Sequence, residues 1–168
     1  MLYYIGQFLG ILGTLCCLTV ALFPKKWQML VVTALINTFC ALNLVFIGRV
    51  GSVILIYVIA VLQTFVALRH LKRGTDPSRR ENLLFLLLYV VCGSLDLRGA
   101  IDVLPVFGSV FHMLATFQKD VGKTRVLLLF NSATFLVYYI LVGSTSAFSC
   151  LCTITTTLFA MYKYRKVS

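Results

Sequence analysis

Ile101-Asp102-Val103-Leu104-Pro105-Val106-Phe107-Gly108-Ser109 opens an apolar run that ends near Phe117. It holds the one proline of the chain that sits inside an apolar segment; Pro24 and Pro77 both lie in charged connections. A proline deep in a helix removes one backbone N–H and obstructs the carbonyl four residues earlier, here that of Ile101. In lipid a carbonyl freed in this way needs another partner, so broken helices persist only where protein or a water-filled cavity covers them. The other reading has Asp102 capping the helix and Pro105 in its first turn, where proline costs little. Hinge and first turn are the two roles open to Pro105.

Outside this stretch the chain is of the same kind. Of its 168 residues 60% are hydrophobic and only 12% are charged, and its mean hydropathy is +0.97. A soluble domain of this size cannot bury so much apolar surface. Several membrane helices can, each needing about 20 apolar residues to cross the hydrocarbon core. The net charge of +10 is not the footprint of a nucleic-acid binder, because the charges fall in short connections between apolar runs. The N-terminal Met-Leu-Tyr-Tyr-Ile-Gly-Gln lacks the positive region of a cleavable signal, so it is taken as the start of a first span. Cys16, Cys17, Cys40, Cys92, Cys150 and Cys152 all lie within apolar runs, which suits free thiols better than disulfides. Neither Cys16-Cys17 nor Cys150-x-Cys152 has the spacing of a zinc site. No metal and no cofactor are expected.

Seven apolar runs can be marked, at about Tyr4–Phe23, Trp27–Ile47, Gly51–Leu71, Asn82–Leu95, Ala100–Phe117, Arg125–Val142 and Ala147–Tyr162. The fourth is short, cut off by Asp96 and Arg98; at about 1.5 Å per residue it reaches barely 20 Å. Charge decides whether it crosses. If all seven runs span, thirteen of the fifteen basic residues share one side, leaving Arg49 and Arg98 on the other. Dropping the fourth span splits the basic residues between the two faces. The expectation is therefore seven spans, with the N-terminus outside and the C-terminus in the cytoplasm. The longest polar connection, Lys72-Arg73-Gly74-Thr75-Asp76-Pro77-Ser78-Arg79-Arg80-Glu81, reads either as a contact for anionic lipid or as a solvated linker that fixes topology.

A shift of 95 residues lays Gly13-Thr14 over Gly108-Ser109 and Gly48 over Gly143. It also brings spans one to three onto spans five to seven. With one span between them the two halves point the same way, which is a parallel repeat. The expected fold is an all-α membrane protein: seven transmembrane helices in two parallel three-helix bundles joined by a linker helix (3+1+3). The first repeat takes residues 1–73, the loop and linker helix 74–98, and the second repeat 99–168. Under the overlay Gly10 falls opposite Pro105, making both candidate hinges; Gly6 and Gly10 equally form a small-residue pair for close helix packing.

Polar side chains at bilayer depth are costly unless paired, so each is a candidate site. Asn37 and Asn131 lie in corresponding spans, one residue from superposition. They either line a cavity for a polar solute or clasp neighbouring helices, at about 0.6 kcal/mol for an average membrane hydrogen bond. Gln63, Ser109 and Thr155 join them as candidate pathway residues. Tyr138, with Tyr139 and Asn43, is placed at an outer vestibule or as an interface anchor. His112, one turn beyond Ser109, is either a proton relay or a neutral histidine bonded to a carbonyl. Thr153, Thr155, Thr156 and Thr157 cannot all face one cavity; at most two share a face. No paired carboxylates, nucleophile–base set, phosphate loop or zincin spacing is present, and no enzymatic activity is expected.

At Asp102-Val103-Leu104-Pro105-Val106-Phe107-Gly108-Ser109 the sequence resembles the YgjV-like family of bacterial inner-membrane proteins, short and nearly loop-free, with a comparable Leu-Pro-Val-x-Gly run. That resemblance implies a location in the bacterial inner membrane and an architecture, not a reaction. More distantly, the three-one-three layout looks like the PQ-loop and SWEET transporters. The chain departs from them where Pro105 is not followed by Gln, where Gly10 replaces a proline, and where Ala60 and Thr155 stand in place of an asparagine on the third helix of each half. The expected function is transport of a small polar solute by alternating access. The alternative is a non-transporting membrane protein that binds a protein or lipid partner through its basic cytoplasmic face. Besides lipid, the partners in view are the solute and a second copy of the chain; nucleic acid is not among them.

Overall fold

The structure, a computed structural model, describes residues 2–46, 52–95, 101, 103–142 and 146–164. Among them are seven α-helices and no strand: α1 (Leu2–Val20), α2 (Lys26–Phe46), α3 (Ser52–Arg73), α4 (Arg79–Ser94), α5 (Val103–Phe117), α6 (Val121–Val142) and α7 (Ser146–Tyr164). Each helix coincides with one apolar run of the sequence. By length and composition three of them contain clear membrane-span segments, Tyr3–Val20, Ile54–Arg73 and Val121–Leu141. Asp96, Arg98 and Asp102, with Gly48, Arg49, Gly143, Arg165 and Lys166, lie outside the described residues.

Local chemistry sets the helix ends. α3 stops at Gly74, whose φ of 67° is the left-handed conformation glycine adopts without a Cβ penalty. The Gly74 N–H bonds the Leu71 carbonyl (3.3 Å) and the Thr75 N–H the His70 carbonyl (3.1 Å), the paired closure of a Schellman motif. α4 starts on a capping box: the Glu81 N–H donates to Ser78 Oγ (3.1 Å) and the Ser78 N–H to Glu81 Oε2 (2.6 Å). Asp120 caps α6, accepting the Lys123 N–H at 2.8 Å. That cap starts α6 four residues earlier than hydropathy alone suggests, so Arg125 belongs to the helix and not to the connection before it.

Pro105 is the third residue of α5. A helix leaves its first N–H groups without internal partners, so proline breaks no hydrogen bond there. Of the two readings, the first turn is the one the structure has. Gly10 lies inside the unbroken α1, where a Cβ would come within 3.0 Å of Asn43 Nδ2 on α2. Asn43 Nδ2 in turn donates to the Gly6 carbonyl at 2.6 Å. Gly6 and Gly10 thus serve close packing of α1 on α2.

Helix contacts run in a closed circuit: α1 on α2, α2 on α3, α3 on α5, α5 on α6, α6 on α7, and α7 back on α1, with α4 against α3 and α5. The outward surfaces are apolar, with Tyr4, Phe8, Ile11 and Leu15 exposed along α1 at helical spacing. Much of what is buried is polar: Lys26, Thr33, Asn37, Gln63, Thr64, Ser109, Thr116, Thr124, Arg125, Ser132 and Thr157. Apolar outside and partly polar inside is the arrangement a lipid solvent selects, since hydrocarbon does not drive apolar side chains inward.

Candidate functional site

The polar interior divides into three groups. The first joins α3, α4 and α5. Gln63 is fully buried; its Nε2 donates to the Met113 carbonyl at 3.0 Å, and its Oε1 accepts the Tyr89 hydroxyl at 2.8 Å. Tyr89, also fully buried, sits with Ile56, Ile59, Ala60, Phe85 and Met113 in one apolar cluster. The amide of Gln63 therefore serves as the dock of α4.

The second group lies at the basic end, where α2 and α6 begin. Lys26, 8% exposed, donates to the Ala115 carbonyl at 2.6 Å and to Thr124 Oγ1 at 2.9 Å. Arg125, 5% exposed, donates through Nε to the Ala21 carbonyl and through Nη2 to the Phe23 carbonyl, both at 3.1 Å. Its guanidinium lies 4.4 Å from the ring centroid of Tyr164, whose hydroxyl donates to the Leu22 carbonyl at 3.1 Å. The arrangement is reciprocal: a base early in α2 reaches the last turn of α5, and a base early in α6 reaches the chain leaving α1. A cation near a helix N-terminus opposes its own helix dipole, whereas carbonyls at a C-terminus attract it. Packing the start of one hairpin beside the end of the other's first helix resolves that conflict. Topology counting by sequence treats both residues as connection charges, yet the structure buries both. The available signal was their position, a cation at the head of an apolar run.

The third group is drawn from the buried polar atoms that meet no hydrogen-bond partner among the described residues: Asn37 Nδ2, His112 Nε2, Asn131 Oδ1 and Thr157 Oγ1 lie within the helices, while Gln28 Oε1 and Asn82 Oδ1 lie near the starts of α2 and α4. Asn37 continues the buried face of α2 that carries Lys26, Leu30 and Thr33. Asn131 lies three residues beyond Leu128 and seven beyond Thr124 on α6, and no hydrogen bond joins the two amides. At the helical rise they stand about 16 Å and about 10 Å from Lys26 and Thr124 respectively.

The remaining candidates are used differently. Ser109, buried, returns its hydroxyl to the Pro105 carbonyl at 2.8 Å. Thr155 is exposed and bonds the Leu151 carbonyl at 2.9 Å, so it lies on the outer face of α7 away from the other candidates. Of the threonine run it is Thr157 that is fully buried, while Thr156 bonds its own helix. Tyr138 packs tilted against Tyr139 with centroids 5.5 Å apart. The six cysteines are free thiols, half-buried. Among the described residues no three His, Cys, Asp or Glu side chains are grouped to hold a metal.

An all-helical chain with apolar outer faces and a partly polar interior is an integral membrane protein. The chain belongs to the Imp-YgjV family, described as bacterial inner membrane protein, whose family model matches residues 4–168. Nothing among curated proteins or solved structures matches it.

Proposed function

We propose that the protein moves a small polar solute across the bacterial inner membrane by alternating access, without chemical catalysis. One observation carries the reading: Asn37 Nδ2, Asn131 Oδ1, His112 Nε2 and Thr157 Oγ1 are buried without partners. Leaving such a group unmade costs about 1–3 kcal/mol each, a cost a bound polar solute or a water-filled pathway relieves. Asn37 and Asn131 then contact the solute, while Gln63 holds α4 between the halves.

The repeat underlies the mechanism. Moving α2 and α3 by 95 residues puts them at 121–141 and 147–168, against Val121–Val142 and Ser146–Tyr164 for α6 and α7. Within each set the middle helix contacts both others. These correspondences support two parallel bundles rocking about the α1–α7 and α3–α5 seams, with all seven helices spanning and the basic end in the cytoplasm.

The test is thermal unfolding of the detergent-solubilised protein against sugars, amino acids, vitamins and ions. A ligand at 100 times its Kd stabilises by about 2.7 kcal/mol. The reading expects a shift that disappears in Asn37→Ala and in Asn131→Ala. A folded protein in which no compound of the library gives a shift that Asn37→Ala and Asn131→Ala abolish overturns it.

A further inference from the structure

An open cleft with about 20 Å³ of enclosed space, its larger part lying open to solvent, lies at the basic end between α2, α3, the α3–α4 connection and the end of α5. Lys26, His70, Thr75, Gln118 and Lys119 are among the lining residues. Two of the lining bases already have a carboxylate beside them: His70 Nε2 lies 3.1 Å from Glu81 Oε1, and Lys119 Nζ lies 2.7 Å from Asp76 Oδ1. Lys26 does not. Among the described residues no carboxylate lies within ion-pairing distance of it, and its two acceptors, a carbonyl and a hydroxyl, are neutral. An ammonium has three donors, so one remains.

Arg125 shares the burial but not the need. Its charge is delocalised, weakly hydrated and stacked on Tyr164, as guanidinium tolerates. The lysine ammonium is a compact, strongly hydrated point charge, and burying it without a counter-charge is expensive. The Gln118 amide, whose oxygen accepts the Asp120 N–H at 3.2 Å, has its NH2 donors available on the same cleft.

We infer that this cleft binds a small oxyanion, a phosphate or a phosphate-bearing headgroup, with Lys26 as its charge partner and Gln118 as a second donor. The site is separate from Asn37 and Asn131 and holds whether or not the protein transports.

The experiment uses the full chain purified in dodecyl maltoside, which carries no phosphate, titrated with inorganic phosphate against chloride at constant ionic strength. Phosphate raises Tm by about 3 °C or more in the wild type and equally in Lys163→Gln, which alters an exposed base elsewhere. The rise is lost in Lys26→Gln and in Thr75→Trp, which fills the mouth of the cleft and leaves Lys26 in place. Phosphate also stabilises proteins by exclusion from their surface, so the difference between variants is the readout. A second arm adds phosphatidylglycerol to the micelles without inorganic phosphate; a Lys26-dependent rise there alone assigns the site to a lipid headgroup. Should Lys26→Gln fail to fold, Thr75→Trp decides. Shifts in both arms that are indifferent to Lys26 and Thr75 overturn the inference. Loss of the Asn37- and Asn131-dependent signal with this one intact overturns transport alone.

Discussion

Single residues carry this fold through partners far away in the chain. Arg125 reaches a carbonyl 104 residues back, and Lys26 one 89 residues ahead. Hydropathy and charge counting see only the neighbourhood of a residue, which is why both bases read as connection charges. Arg125→Met leaves the Ala21 and Phe23 carbonyls without their charged donor; hydrogen bonds to charged groups contribute about 1.5–3 kcal/mol each. With two such bonds lost, a loss of about 3 kcal/mol or more in denaturant unfolding is expected, against no measurable loss for Lys72→Met at an exposed position. Gln63 was legible as a buried polar residue, but its role was not, because Tyr89 looked like any aromatic in an apolar run. Gln63→Leu strands the Tyr89 hydroxyl and costs about 1–3 kcal/mol. Adding Tyr89→Phe removes the stranded group, so the double variant recovers part of the loss. A double variant no more stable than Gln63→Leu contradicts the pairing.

Elements were the most legible level, since apolar run length and connection chemistry together mark all seven helices. What the runs conceal is how closely neighbours approach. Gly13 and Gly108 superpose under the 95-residue shift, yet their surroundings differ. A Cβ on Gly13 meets Phe39 Cβ at 3.6 Å and Cys40 Sγ at 3.7 Å, ordinary contact. A Cβ on Gly108 comes within 2.6 Å of Phe135 Cε2 and 2.8 Å of its Cδ2. Gly13→Ala is therefore expected to be neutral or stabilising by up to about 1 kcal/mol from helix propensity. Gly108→Ala forces the Phe135 ring aside and costs about 1–3 kcal/mol. Thermal unfolding of both separates them; equal effects would mean α5 and α6 are not packed at Gly108. At α4 the capping box adds a pH dependence. The Ser78 backbone N–H, and after it the His70 side chain, hold the Glu81 carboxyl below its ordinary pKa. A depressed carboxylate stabilises the fold above its unfolded pKa, and that contribution fades as pH falls through the folded value. Ser78→Ala removes the reciprocal half of the cap at a cost of about 1 kcal/mol at neutral pH. The acid-side loss of stability is correspondingly smaller in Glu81→Gln than in the wild type.

At the scale of the whole molecule, the path of the chain through the bilayer depends on its shortest helices. α4 has 16 residues, about 24 Å at the helical rise, against a hydrocarbon core of about 30 Å. A mismatch of this size costs only fractions of a kcal/mol per Å, because bilayer thinning and flanking residues absorb it. Splitting the basic residues between two faces opposes the rule that gathers Lys and Arg in the cytoplasm, so crossing is the smaller penalty. α5 is shorter still among the described residues, at 15, but begins with Pro105 in its first turn and is braced by α3, α4 and α6. Reporter fusions read the consequence. Green fluorescent protein after Tyr164 and after Thr75 should fluoresce, since both positions lie at the basic end. Alkaline phosphatase should be active after Leu95 and after Val142, at the opposite end. If α4 does not cross, the Leu95 fusion falls on the same side as the Thr75 fusion and every later position inverts. That outcome would point the two bundles in opposite directions and break the bonds of Lys26 to Ala115 and of Arg125 to Ala21 and Phe23, which need the ends of α1 and α5 on one side. The parallel repeat, and the rocking mechanism built on it, would have to be given up.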